Sequence, residues 1–482
     1  MLIISKKKKE KVVVEIVGGN AESVTGSCTQ ITTAEHKYLF ELGMIQDGHT
    51  PLENYKLNSK LLQKIHPQEI DFIIIGHAHL DHIGLIPALY VRGKCEAKIV
   101  VPKGSVSIIR EMWLDAAYIN QRDVEIINLK DRHYEPFYTE DNVKQALQHI
   151  IEIDSNTITS LSDELAVRYS NAGHILLSKQ AEVYINGGSH TRKILFTSDL
   201  GNLGTQDSRV FVEPFQPITT ANIVIGECTY SAKGRETNKK TLELDIEKIK
   251  TVVTQYCIDN NHRVLIPTFS LDRMPYILWI LYSIFGNDEN FKVPVLVDSP
   301  LANRLLDCYS SILVGEAKEK FDQMMSWKNI QRIITPEDSK AAIANKGAKI
   351  ICSSSGMLTA GRSVKWVQSI LPSENDVIMF IGYAGEDTLA YKIKHEKEQK
   401  TININGKTCK NKAQIIDLTS FSSHMQRKDL INYYKSINCE KIYLVHGGKE
   451  KIQFKYDLEA AIQDCLKSTR VVAVNKGTKI AL

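Results

Sequence analysis

The sequence predicts an α/β protein in which one α/β unit is inserted into another. Three observations lead there. Short runs rich in Val and Ile recur along the chain without polar alternation, as strands covered on both faces do. Stretches with helical periodicity separate several of these runs, which is the signature of alternating strands and helices. Candidate metal ligands occur before about residue 200 and again after about residue 420, with a self-sufficient α/β stretch between, and an inserted domain explains that order most simply.

The expected strands are residues 12–17, 73–75, 99–101, 194–197, 223–225, 264–266, 293–297, 350–352, 377–381 and 442–445. Residues 241–259 and 274–285 carry the clearest helical periodicity. No repeat and no low-complexity linker marks a boundary, so the organisation has to come from the motifs.

Residues 73–82 read Ile-Ile-Ile-Gly-His-Ala-His-Leu-Asp-His. An apolar strand ending in Gly delivers four potential ligands into a loop, where side chains converge without crowding the sheet. His77 and His79 are alternate residues that can face one ion, and Asp81 and His82 can turn to a second. A polar loop with surface histidines is the bland alternative, and it does not account for this density. Imidazole and carboxylate together suit zinc, and an open coordination position makes such a site catalytic.

Three further segments follow the same logic. Residues 194–198 deliver Asp199, residues 442–445 deliver His446, and Asn171-Ala172-Gly173 precedes His174. Alone, each reads as a turn residue or cap. Together with the first cluster they supply the seven ligands that two ions need. The resulting assignment gives His77, His79 and His174 to a first zinc, and Asp81, His82 and His446 to a second. Asp199 bridges the pair. Two zinc ions roughly 3.5–4 Å apart hold a water and lower its pKa to about 7, so a metal-bridging hydroxide is the expected nucleophile.

Composition limits the setting. The 482 residues suffice for two to three domains, and 43% hydrophobic with 24% charged residues fits a globular chain. No apolar stretch is long enough to span a bilayer, and residues 276–285 read as a buried helix, so no membrane partner is expected. The nine cysteines form no CxxC pair, which argues for free thiols in a reducing cytoplasm and against a disulfide framework or thiolate zinc cage. Lysines 6–9 lack a following apolar signal core and read as a solvated terminus. The net charge of +4 permits a local polyanion surface, for which Lys233, Arg235, Lys239 and Lys240 are candidates. His36, His49, His66, His133, His149, His190, His262 and His395 show no partner pattern and read as surface or packing residues.

The ligand pattern resembles the metallo-β-lactamase superfamily. Further motifs resemble its β-CASP nuclease branch: Gly226-Glu227-Cys228-Thr229-Tyr230, Ser299-Pro300-Leu301-Ala302, Ser353-Ser354-Ser355-Gly356-Met357, Ser420-Phe421-Ser422-Ser423-His424 and Val445-His446-Gly447. The resemblance covers nearly the whole chain in the family's order. It implies an αββα sandwich formed by residues 1–209 and 401–482, with the inserted β-CASP domain at 210–400. It further implies a two-zinc ribonuclease acting on single-stranded RNA in the cleft between the two domains. Glu227 pairs with His424, whose imidazole protonates the leaving oxygen, and these two with Asp81 form the expected catalytic set. Ser353, Ser354, Ser355, Arg273 and Arg362 resemble positions that hold the RNA backbone.

Four departures from the family pattern stand out. Glu41-Leu42-Gly43 replaces an Asp-containing turn, Met425-Gln426 replaces an acid after His424, and Asp387 and Asp272 stand where glycines are usual. The two added aspartates bring negative charge towards the expected RNA path. With little chain after His446 and none before the zinc domain that reads as an RNA-binding module, endonucleolytic cleavage is expected over processive cleavage from an end. A homodimer or an RNA-processing complex is left open. Two other readings remain: a zinc hydrolase of small esters or thioesters, and a non-catalytic RNA-processing subunit.

Overall fold

A computed structural model of the chain describes residues 12–19, 23–91, 94–129, 133–187, 190–232, 237–386, 388–396, 398–447, 452–464, 466 and 469–482. Lysines 6–9, Lys233, Arg235 and Asp387 lie outside the described residues. The chain divides into two compact units: Met1–Gly201 with Glu213–Arg235 and His424–Leu482, and Asn202–Val212 with Glu236–Ser423.

The first unit holds, in chain order, β1 (Val13–Gly18), β2 (Cys28–Thr32), β3 (Lys37–Phe40), β4 (Phe72–Ile74), β5 (Lys98–Pro102), β6 (Ile150–Ile153), β7 (Thr159–Ser160), β8 (Leu165–Asn171), β9 (Lys179–Asn186), β10 (Thr191–Phe196) and β11 (Ile223–Glu227). The second holds β12 (Arg263–Pro267), β13 (Val295–Asp298), β14 (Ile330–Arg332), β15 (Lys349–Ser353), β16 (Val377–Phe380), β17 (Thr401–Ile404), β18 (Lys407–Lys410) and β19 (Gln414–Asp417). The chain then returns to the first unit with β20 (Lys441–Val445), β21 (Arg470–Ala473) and β22 (Lys479–Ala481). All ten expected strands form. Expected boundaries at 210 and 401 differ from the compact units at two places. β11 pairs between β10 and β20 in the first unit, and β17 to β19 stay with the second.

In the first unit, two seven-stranded sheets run β22-β1-β2-β3-β4-β5-β6 and β21-β20-β11-β10-β9-β8-β7. One shared core joins their inner faces, with Val14, Ile16, Ile31, Phe40 and Val100 from one sheet against Val167, Val183, Ile194, Phe196 and Ile225 from the other. Phe40 stacks on Phe196 with ring centroids 4.2 Å apart. On the outer side of the second sheet, Val224, Ile442 and Leu444 pack with Leu430, Tyr434, Leu458 and Ile462 of helices Arg427–Ser436 and Ile452–Gln463. Each sheet is parallel on one side only: β3 to β6 in the first, and β10, β11, β20 and β21 in the second. The carboxyl ends of those parallel strands are where loops are free to carry function.

The second unit is built on a wholly parallel sheet, β14-β13-β15-β12-β16-β19. Its central strands β13, β15, β12 and β16 are buried along their whole length, as strands covered on both faces are. The expected helix at 241–259 is an α-helix over Lys239–Val252 that widens into a π-helical turn over Val253–Asp259. The β-branched run Thr251-Val252-Val253-Thr254 sits at that junction, where branched side chains crowd the α-helical turn. The apolar segment 276–285 is part of the buried helix Arg273–Phe285. Among the described residues no helix is long and apolar enough to cross a membrane. The eight described cysteines are all buried and unbridged.

Candidate metal centre

Three strand ends, one turn and one short helix of the first unit deliver the ligand candidates. β4 runs into Gly76 and His77, and the short helix Leu80–Ile83 follows with Asp81 and His82. The β8–β9 turn carries His174, β10 leads to Asp199, and β20 leads to His446. Backbone bonds draw these loops together: the N–H of Gly201 donates to Ala172 O (2.8 Å), and that of Met425 to Leu200 O (2.8 Å). Glu41, Ser198 and His446 all have φ between 50 and 62°. Left-handed backbone at non-glycine residues is costly and clusters where side chains must be aimed.

The seven candidates form two groups around one carboxylate. His77 Nε2 is 3.1 Å from His79 Nδ1, and His174 Nε2 is 3.4 Å from the same atom. Asp199 Oδ2 lies 3.6 Å from His77 Nε2 and 3.5 Å from His174 Nε2. On the other side, His82 Nε2 is 3.4 Å from Asp199 Oδ1 and 3.7 Å from Asp81 Oδ2. His446 Nε2 is 3.6 Å from Asp81 Oδ2. A tetrahedral ion with bonds of about 2.0–2.1 Å places its ligand atoms about 3.3–3.4 Å from one another. Most of the spacings lie near that requirement, and the 3.1 Å between His77 and His79 is also within hydrogen-bond range.

A second test of fit comes from satisfaction. His82 Nε2, His446 Nε2 and Asp199 Oδ1 are buried and have no hydrogen-bond partner among the described residues. Buried polar atoms are rarely left so, and a cation satisfies all three at once.

The far sides of the rings are held by partners. Glu41 Oε2 is 2.6 Å from His82 Nδ1, and Glu41 Oε1 accepts from the Ser198 hydroxyl (2.8 Å), which lies 3.0 Å from His77 Nδ1. One carboxylate therefore fixes an imidazole in each group, leaving Nε2 aimed at the ion. Glu41, standing where an Asp is usual, reaches His82 directly and His77 through Ser198. His446 Nδ1 is 2.9 Å from Thr229 Oγ1, which also donates to the His446 carbonyl (3.2 Å).

Charge follows this arrangement. Burial, then the His82 imidazole, pushes His77 well below the usual histidine value. Burial also opposes charge on His82, yet the carboxylates of Glu41, Asp199 and Asp81 outweigh it and raise His82 well above that value. Burial would raise Asp199, but the imidazoles of His446, His82 and His424 hold it well below the usual carboxylate range.

Gly43 sets how closely the turn can approach. A Cβ there would lie 1.6 Å from Asp81 O, so Gly43→Ala must push the Asp81–His82 turn aside. We expect a loss of about 1–3 kcal/mol from overpacking together with reduced zinc content. Thermal melting and elemental analysis check this, and wild-type values for both would contradict it.

The comparisons with known proteins agree with this geometry. A Beta-Casp domain model matches residues 276–393, and a model described as a Zn-dependent metallo-hydrolase RNA specificity domain matches 410–461. The chain is 28% identical over 445 residues to the transcription termination factor FttA of Methanocaldococcus jannaschii, covering 90% of this chain and 66% of that protein. It is 25% identical over 440 residues to a ribonuclease of Thermus thermophilus, covering 90% of this chain and 93% of the relative. An RNase J-like protein of M. jannaschii is 25% identical over 443 residues, covering 89% and 91%. The chain carries a Beta-Casp domain followed by a Zn-dependent metallo-hydrolase RNA specificity domain. A solved structure of a protein of unknown function from Enterococcus faecalis V583 shares the fold, with a TM-score of 0.54 at 12% identity, covering 98% of this chain and 100% of that one. The chain spans about two thirds of the length of the FttA relatives.

In this chain the Glu227 carboxylate, at the end of β11, accepts from Leu200 N–H (2.8 Å) and Thr229 N–H (3.1 Å). Its Oε1 is 3.5 Å from His424 Nδ1, and Asp199 Oδ2 is 3.9 Å from the same nitrogen. Gln426, where an acid was expected, donates to the His424 carbonyl (2.9 Å) and so braces the loop.

The five expected backbone-holding residues lie in the second unit. Ser353 is buried and donates to Asp298 O (2.7 Å), and Arg362 donates to Asp298 Oδ1 (2.6 Å), Ile333 O (3.1 Å) and Ile334 O (2.7 Å). Arg273 is buried and donates to Ile381 O (3.1 Å). Ser354 and Ser355 are half-buried, with Ser354 accepting from Ser270 (2.8 Å) and Ser355 from Thr359 N–H (3.0 Å). Asp272, expected to bring negative charge towards the RNA path, has that charge matched inside the second unit. It is buried and paired with Arg209 at 2.5 Å, because a charge inside the unit must be compensated. Sequence reasoning missed Ser198 and Thr229 as orienting residues, since each acts on a histidine more than 100 positions away.

Proposed function

We propose that the chain is a zinc-dependent ribonuclease that binds two zinc ions and cuts single-stranded RNA internally, leaving a 5′-phosphate and a 3′-hydroxyl. His77, His79 and His174 would hold one ion, Asp81, His82 and His446 the other, and Asp199 both. Zinc bound there supplies Lewis acidity at a phosphoryl oxygen and acidifies water.

The chain's own residues do the rest. Glu41, Ser198 and Thr229 keep the imidazoles in position. Glu227, fixed by two backbone N–H groups, turns Nδ1 of His424 towards itself, so that Nε2 on the opposite side of the ring can give a proton to the departing 3′ oxygen. Ser354 and Ser355, at the surface of the second unit, are the hydroxyls suited to phosphate. A phosphate role for Ser353 or Arg362 would compete with the bonds they already make.

The observation that carries the reading is the Glu227–His424 pair set beside Asp199. A hydrolase of small esters or thioesters on the same metal site leaves that pair without a task, and a non-catalytic subunit leaves the complete ligand set unexplained. The test uses RNA labelled at its 5′ or 3′ end, incubated with and without a chelator. Internal products that vanish with the chelator support the proposal, and cleavage that persists without metal would refute it. RNA affinity should also weaken steeply as salt rises, since phosphate contacts release counterions. A flat response in filter binding would point to a small neutral substrate.

A further inference from the structure

The chain carries a net charge of only +4, yet residues 392–412 contain seven lysines against two glutamates. This stretch falls at the junction of the two matched domain models, 276–393 and 410–461. Its described residues, which leave out Lys397, form an ordered surface. The helix Leu389–His395 leads into the hairpin β17–β18, whose turn is Asn405-Gly406, both with positive φ as such tight turns require. Ile402, Ile404 and Cys409 point into a core with Trp366, Ile370 and Ile393, which clamps hairpin and helix to the same body.

The opposite face of the hairpin presents Thr401, Asn403, Thr408 and Lys410, with Lys407 exposed at the turn and Lys400 at the strand start. Neither an acidic nor an apolar side chain interrupts it. Lys394 is paired with Asp417 (2.8 Å) and Lys412 with Glu374 (3.7 Å). Among the described residues, Lys392, Lys400, Lys407 and Lys410 have no ion-pair partner. On the same helix, Tyr391 and His395, which flank Lys392 and Lys394 in sequence, place their rings 4.2 Å apart. Unpaired like charges on a rigid support repel one another and gain by neutralisation. Lysines flanked by flat rings suit a strand that offers both phosphates and bases.

We infer that residues 392–412 form a metal-independent surface that holds the phosphate backbone of single-stranded RNA, with Lys400, Lys407 and Lys410 as its principal contacts. The inference rests on the RNA reading above. An acidic protein segment is the other partner such a face suits, and the ring pair favours RNA.

The test is fluorescence anisotropy of a labelled single-stranded RNA with the full-length chain, in chelator so that cleavage does not enter. The Lys400→Gln/Lys407→Gln/Lys410→Gln variant should bind on the order of 10- to 100-fold more weakly at physiological salt, and its salt slope should fall by about two, at about 0.7 per phosphate contact on a single strand. Arginine at the same three positions should restore both, which separates lost charge from misfolding. A triple glutamine variant with wild-type affinity and slope overturns the inference and leaves an acidic protein as the partner. Failure of the nuclease reading shows separately, as uncut RNA in the end-label assay, while the binding slope still reports on these lysines.

Discussion

Asp199→Ala should abolish RNA cleavage and strip zinc from the chain. Its two oxygens lie between the ligand groups, Oδ2 at 3.5–3.6 Å from His174 and His77 and Oδ1 at 3.4 Å from His82. Removing them takes a ligand from each group and leaves a buried cluster of imidazoles without their central counter-charge. In that environment the imidazoles lose the carboxylate that holds them together, so neither ion retains its full set. Elemental analysis of purified protein should find well under the wild-type zinc, and end-labelled RNA should remain whole. A variant that keeps both its zinc and its activity would remove the bridging role.

His424→Ala should behave differently. The ring sits beside Asp199 and Glu227 but is part of neither ligand group, so zinc content should stay at the wild-type level while cleavage slows by roughly 10²–10⁴. The loss should fall on kcat, with KM for RNA little changed. A phosphodiester carrying a p-nitrophenyl leaving group needs no proton to depart, so its hydrolysis should be largely spared. If the variant instead loses zinc, His424 is a ligand. If it slows both substrates equally, His424 is not the acid.

Much of this was legible in the sequence because two signals are local. Apolar runs such as 223–225 and 350–352 become strands wherever they fall, and a polar residue just past such a run lands at the carboxyl edge of a sheet. That is why Asp199 and His446 could be placed without coordinates. Some of the strands that were not legible are polar: β9 contains Lys179, Gln180 and Glu182, all buried. Its charges are matched from elsewhere, Lys179 by Glu213 and Glu182 by Arg168 and Lys193, and no short window of sequence reveals such pairing. Orienting residues fail for the same reason. Ser198 reads as a strand end and Thr229 as a turn until the fold brings His77 and His446 beside them. Asp272 is similar: its negative charge stood out in the sequence, but its buried partner Arg209 did not.

The most direct measurement is the zinc content of purified chain, taken together with cleavage of end-labelled RNA as zinc is withdrawn and returned. The account predicts two zinc ions per chain, internal cuts bearing 5′-phosphates, loss of cutting when the metal is removed, and recovery when it is restored. A chain that holds no zinc and still cuts RNA, or holds two and never does, would contradict it.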